Sequence, residues 1–148
     1  MKRKSVRIYS FTGTGSCLAL KLAEKLKQEG YVCTGYTVAR FAEDKRLQRL
    51  NDGWKQEIGA SWGEHALVFI GAAGIAIRAI APFVKDKFTD PPVIVLDEKG
   101  TFAIPLLSGH VGGGVTLAKV LAEYTGGRAV ITTATDCLLY TSDAADDK

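Results

Sequence analysis

Ser108 and His110 stand in the stretch Leu106-Leu107-Ser108-Gly109-His110-Val111-Gly112-Gly113-Gly114, where one hydroxyl and one imidazole are set among four glycines. Imidazole titrates near neutrality and can take a proton from water. Glycine lets backbone N–H groups approach a ligand closely, and the start of a following helix favours anions. Those parts read as the centre of a substrate site. Plainer roles stand beside that one. Ser108 also reads as an ordinary helix N-cap, and His110 as a residue that hydrogen-bonds backbone or a substrate carboxylate. A nucleophilic Ser108 lacks an evident third triad member.

Two further glycine-rich turns could meet a ligand. Thr12-Gly13-Thr14-Gly15-Ser16 offers hydroxyls and N–H groups at a helix start, as a flavodoxin-type phosphate loop does. It has neither the lysine of a Walker loop nor the GxGxxG spacing of a dinucleotide fold. Gly71-Ala72-Ala73-Gly74 leads into an apolar segment whose one charge is Arg78. Arg78 either snorkels from a helix edge or pairs an anion; Lys87 reads as solvated. Asp97 and Glu98 fall in a hairpin turn, Asp136 lies just past the last expected strand, and His65 reads as surface.

The elements that must position these groups follow from periodicity. Strands are expected at Val6–Phe11, Tyr31–Val38, Ala66–Ile70, Val93–Leu96, Thr101–Ile104 and Ala129–Thr133. Helices are expected from near Ser16 to Gly30, over a stripe of Leu47, Leu50, Trp54 and Ile58, through Ile75 and Ile80, and over Leu117, Val120, Leu121 and Tyr124. Asp97-Glu98-Lys99-Gly100 makes one antiparallel hairpin. Alternating strands and helices predict an α/β fold with an open, mostly parallel three-layer sheet, Rossmann- or flavodoxin-like. Ligands bind such sheets beyond the carboxyl ends of the strands. All three glycine turns are therefore expected to meet in one crevice there.

Composition narrows the setting. The 148 residues, 47% of them hydrophobic, suit one domain with a real core, expected over residues 1–136. Residues 137–148 lose periodicity and read as a disordered or foreign tail. A net charge of +3, with no basic stripe, gives no reason to expect a nucleic-acid partner. Cys17, Cys33 and Cys137 form no CxxC pair and fit a reducing cytoplasm. The apolar run from Ala66 to Val84 is broken by Gly71, Gly74, Arg78 and Pro82, so a membrane span is not expected.

Several of these segments together resemble a family. Gly71-Ala72-Ala73-Gly74-Ile75-Ala76-Ile77-Arg78, Ile80-Ala81-Pro82, Lys87, Asp90-Pro91, the hairpin, the Ser108-Gly109-His110 segment and Val130-Ile131-Thr132-Thr133-Ala134-Thr135-Asp136 follow in the order of the N-terminal part of CbiG-type cobalamin-biosynthesis proteins. Gly114-Val115 departs from the Ala-Asn that the family often places there. The resemblance implies a cobalt-precorrin-5A hydrolase, which opens a δ-lactone on a cobalt-corrinoid and releases acetaldehyde. It implies catalytic His110 and Ser108, and substrate contacts from Gly13, Thr14, Gly15, Ser16, Gly71, Gly74, Arg78, Gly109, Gly112, Gly113 and Asp136. Arg78 would pair the substrate's acetate and propionate groups. Cobalt would arrive within the substrate, so no cofactor or protein metal site is expected. Middle and C-terminal regions of the longer proteins would be partners, as would a second copy in a homodimer. A non-catalytic corrinoid-binding module and a flavodoxin-like FMN carrier are the alternatives.

Overall fold

The computed structural model describes residues 4–108 and 113–133. His110, Gly109, Gly112, Asp136, Cys137 and the expected tail lie outside the described residues.

Strand β1 (Ser5–Ser10) sends Val6 and Ile8 into one apolar layer and Tyr9 into the other, as the period of two dictates. Helix α1 (Gly13–Gln28) follows at once, with Ala19, Leu22, Ala23 and Leu26 as its buried stripe. It begins three residues before the expected Ser16, because Thr12 serves as N-cap and its Oγ1 accepts from the Gly15 N–H at 2.9 Å. Gly13 and Gly15 therefore belong to the first helical turn. Gly30, at φ +95°, supplies the left-handed stop.

Strand β2 (Val32–Thr37) is followed by a short strand, β3 (Leu47–Arg49), where a helix was expected. The spacing of Leu47, Leu50, Trp54 and Ile58 mimics one helical face. Asn51-Asp52-Gly53 interrupts it, with the Asn51 side chain accepting the Gly53 N–H at 2.9 Å. Such an Asx turn gives the backbone a local alternative to helix. Leu47 consequently joins the sheet, and only Trp54–Ala60 forms helix α2.

Strand β4 (Ala66–Ile70) leads into helix α3 (Ala73–Ile80), and β5 (Val93–Leu96) into the hairpin and β6 (Phe102–Leu107). Helix α4 (Gly114–Thr125) and a two-residue strand β7 (Arg128–Ala129) complete the fold. β7 is shorter than the expected Ala129–Thr133.

The seven strands form one sheet in the order β3-β2-β1-β4-β5-β6-β7. Neighbours from β3 to β5 run parallel, β5 and β6 run antiparallel, and β7 follows β6. Helices α1 and α4 cover one face, around Leu22, Ile8, Leu96 and Leu121. Helices α2 and α3 cover the other, around Tyr9, Ile58, Phe69 and Ala76. The fold is the expected α/β three-layer sheet with one antiparallel pair.

That pair corrects the expected single crevice. Leu107 stands opposite Val93, and Ala103 opposite Leu96, so β6 ends where β5 begins. Ser108 and Gly113, the described ends of the third glycine segment, lie at the amino edge of the parallel strands. The turns after β1 and β4 lie at the carboxyl edge. A hairpin reverses the chain, and one reversal carries those ends to the opposite end of the sheet.

Candidate functional site: two edges of one sheet

At the carboxyl edge, the chain runs outward from β1 toward β3 and then restarts on the other side at β4. The crevice between β1 and β4 is thus the topological switch point of the parallel strands. A cavity of about 390 Å³ opens nearby, lined by Phe11, Asn51, Trp54, Lys55, Ile75 and Arg78 among others. Stacked aromatics stiffen the adjoining layer. The Tyr9 ring lies 5.1 Å from both Tyr36 and Phe69, and the Trp54 ring lies 5.7 Å from Tyr9 and 5.6 Å from Phe11. Burial pushes the Tyr9 phenol up to about 12, so it is neutral there at every physiological pH.

Arg78 is exposed, and its guanidinium bends back toward the start of its own helix. A Cβ added at Gly74 would lie 3.3 Å from Nη2. Gly74 therefore admits the arginine, and lies inside α3 rather than in the preceding turn. Gly71, at φ +148°, makes the bend out of β4 beside Phe11.

The first glycine turn holds less open functionality than its sequence suggests. The Ser16 hydroxyl is 5% exposed; it donates to the Thr12 carbonyl at 2.7 Å and lies 2.6 Å from Thr37 Oγ1. Ser16 thus ties helix to sheet. Thr12 Oγ1 donates to the Glu98 carboxylate at 2.7 Å. The hairpin tip thereby brings a negative charge to the start of α1, where an FMN phosphate would meet repulsion. Thr14 is exposed at the same start, and Gly13 packs near the Phe41 ring.

The amino edge is built differently. Ser108 is 8% exposed, has φ +55°, and donates its hydroxyl to the Asp90 carbonyl at 2.7 Å. It is the one described non-glycine residue in the left-handed region, a conformation that persists only where its surroundings enforce it. Asp90, 4% exposed, supplies that enforcement. Its carboxylate accepts the Trp62 indole N–H at 3.0 Å and the Lys85 N–H at 3.0 Å to each oxygen. The Gly114 N–H reaches the Ser108 carbonyl at 3.1 Å, closing the glycine-rich turn at its base. Ser108 is not the N-cap of α4; Gly113 takes that position, at φ +88°.

Gly113 also borders a cavity of about 290 Å³, whose other walls include Ser5, Tyr31, His65, Pro92 and Thr116. His65, expected to be plain surface, is half-buried there with Nδ1 2.6 Å from Ser5 Oγ. Burial and nearby Arg7 hold its pKa below the ordinary imidazole value, against a smaller opposite pull from Glu64. Its placement was hidden in the sequence because His65 meets Ser5 only through the pairing of β4 with β1.

The structure thus brings together Gly13, Thr14, Gly15, Gly71, Gly74 and Arg78 at one edge, and places Ser108 and Gly113 at the other. Among the described residues, no group of three or more His, Cys, Asp or Glu side chains is placed to hold a metal ion. Nor is any described helix long and apolar enough to cross a membrane.

Comparison with known proteins matches residues 58–136 to the family described as cobalamin synthesis G N-terminal. The cobalt-precorrin-5A hydrolase of Salmonella typhimurium is 40% identical over 146 residues, which cover 92% of this chain and 37% of that protein. The cobalt-precorrin-5A hydrolase of Priestia megaterium is 47% identical over 70 residues, covering 47% of this chain and 19% of that protein. The chain therefore spans little more than a third of the longer of these matches. Among solved structures, a cobalamin biosynthesis protein G homologue from Sulfolobus solfataricus superposes with a TM-score of 0.67 at 26% identity, covering 86% of this chain and 36% of that one. A semialdehyde dehydrogenase NAD-binding protein from Cupriavidus necator, at 12% identity and a TM-score of 0.50, covers 98% of this chain and 68% of its own, and shares the fold alone.

Proposed function

The chain belongs to the cobalamin synthesis G N-terminal family, and from that premise we propose that it is the N-terminal part of a cytoplasmic cobalt-precorrin-5A hydrolase. The observation that carries this reading is the likeness to the Salmonella hydrolase, which runs through nearly the whole chain. Water adds to the lactone carbonyl of the cobalt-corrinoid, the acyl C–O bond breaks, and the ring oxygen leaves with a proton as a secondary alcohol still joined to the macrocycle through carbon. That alcohol then gives up its proton, its C–O becomes C=O as the C–C bond to the macrocycle breaks, the electron pair passes into the conjugated ring, and acetaldehyde departs.

In this reading His110 takes the proton from water, and N–H groups of Gly109, Gly112 and Gly113 receive the oxyanion. Asp136 serves in this reading as an orienting carboxylate. What supports the amino edge as the reacting end is the tie from Ser108 to Asp90, which fixes the start of the His110 turn there. The Ser108 hydroxyl is spent on that tie, so Ser108 positions the turn and does not attack. Gly13, Thr14, Gly15, Gly71, Gly74 and Arg78 form a separate surface that receives carboxylates. Cobalt enters with the substrate, and no protein-bound metal or cofactor is needed. The middle and C-terminal regions of the longer relatives, and a second copy of the chain, are the proposed partners.

A second reading, the non-catalytic corrinoid-binding module, gains from the same Ser108 tie, because it removes one candidate nucleophile from the chain. The two are separated by incubating cobalt-precorrin-5A with the chain, with and without the remaining regions supplied in trans, and with His110→Ala. Turnover that His110→Ala lowers at least 100-fold, with corrinoid binding kept, supports hydrolysis through His110. Loss of binding alone supports the module. Failure to bind or turn over the corrinoid under every condition overturns both.

A further inference from the structure

Two glycines in the left-handed region, Gly63 at φ +93° and Gly113 at φ +88°, bend the chain on opposite sides of the amino-edge cavity. One wall is the start of α4, reached through the glycine-rich turn. The other is the beginning of β1 and the approach to β4, where Ser5 and His65 are hydrogen-bonded. Ser108 is held by Asp90, and the Gly114 N–H reaches the Ser108 carbonyl. Gly113 and the His65 imidazole line the same cavity.

The chemistry of that space selects its occupant. Val6, Ala66, Pro92 and Leu117 supply apolar lining. Lys4 and Glu64, of opposite charge, also line it. Burial, with Arg7 nearby, disfavours the charged form of the His65 ring. Nδ1 is engaged by Ser5, which leaves Nε2 as the ring nitrogen free of that bond. About 290 Å³ is at the small end of ligand pockets, room for a substituent rather than a whole macrocycle.

We infer that this cavity is a binding site for a neutral carbonyl group, as in an ester or lactone, hydrogen-bonded by the His65 imidazole that Ser5 holds in place. The inference deepens the corrinoid reading and rests on it only for the identity of the natural ligand, which would be the lactone rim. The site itself stands on the cavity and the Ser5–His65 pair.

The test follows the ring protons of His65 by NMR in this chain at pH 7, assigned with His65→Gln, during titration with δ-valerolactone and separately with propionate. The lactone is expected to give a saturable shift at millimolar concentration, with propionate at least fivefold weaker. Ser5→Ala is expected to weaken lactone binding severalfold while leaving the fold intact by circular dichroism. No saturable shift, or propionate binding as tightly as the lactone, overturns the site. Lactone binding at His65 by a chain that neither binds nor turns over cobalt-precorrin-5A, even with the remaining regions supplied in trans, keeps the cavity and removes the corrinoid reading. Turnover of the corrinoid without any lactone response does the reverse.

Discussion

The Ser108 hydroxyl donates to the backbone carbonyl of Asp90 across 2.7 Å, so that two residues eighteen positions apart clamp the entrance of the glycine-rich turn. The bond is buried and the Ser108 backbone is left-handed, which gives its substitutions distinct costs. Ser108→Ala keeps the unfavourable φ and orphans a buried carbonyl, for a loss of about 1–3 kcal/mol. Ser108→Gly also loses the bond, yet relieves roughly 1 kcal/mol of backbone strain. Urea unfolding of both variants should rank glycine above alanine; the opposite order would show that the left-handed turn stores no strain.

Asp90→Ala should cost more than Asp90→Asn. Alanine leaves the part-buried Trp62 indole N–H and Lys85 N–H without that acceptor, at about 0.5–1.5 kcal/mol for each. Asparagine keeps one side-chain oxygen for them. Chemical denaturation gives the ranking, and Trp62 emission should shift only in the alanine variant.

His65 makes stability fall on acidification. Its folded pKa lies below the ordinary value of about 6.5. The unfolded chain therefore binds the proton first. The contribution is complete above the unfolded pKa and is lost as pH drops through the folded one. The urea midpoint of the native chain should decline from pH 7 toward pH 5 more steeply than that of His65→Gln. Parallel slopes would mean that burial leaves the ring untouched.

The two described thiols should react at very different rates. Cys17 is exposed on α1, whereas Cys33 is buried in β2 with its pKa pushed up to about 11 by desolvation. Brief iodoacetamide treatment at pH 8, mapped by mass spectrometry, should alkylate Cys17 and spare Cys33 until urea is added. Equal labelling of the native chain would contradict the packing of β2.

Gly127→Ala should loosen the far edge of the sheet. An added Cβ would run into the carbonyl oxygens of Gly100 and Thr101, which are backbone and cannot rotate away. A loss of about 1–3 kcal/mol is expected, with amide exchange speeding first at Arg128 and Val130. Those N–H groups bond the Thr101 and Ala103 carbonyls. An unchanged exchange pattern would show that the edge moves freely to admit the methyl group.

The sheet was legible wherever burial left an unmistakable pattern. Ala66–Ile70 and Val93–Leu96 are short apolar runs covered on both faces, and they are β4 and β5 to the residue. Leu47 was not legible, because its distance from Leu50 imitates a helix and only its pairing beside Gly35 places it in β3. An alanine Cβ at Gly35 would meet Leu47 Cδ2 at 2.7 Å, so that contact needs the glycine. The candidate site was half legible. Its glycine turns stand out as sequence, but which edge each reaches depends on strand direction, and the Asp97–Gly100 hairpin already encodes that reversal. His65 carried no local signal, since its partner Ser5 is sixty residues away.

Because His65 precedes β4 and Arg78 follows it on α3, the five residues of β4, roughly 16 Å of extended chain, hold the two at opposite extremities of the domain. Two occupants can thus be held simultaneously without touching. A molecule that blocks one extremity would not compete with whatever fills the other, and dose–response curves for two such blockers would be independent.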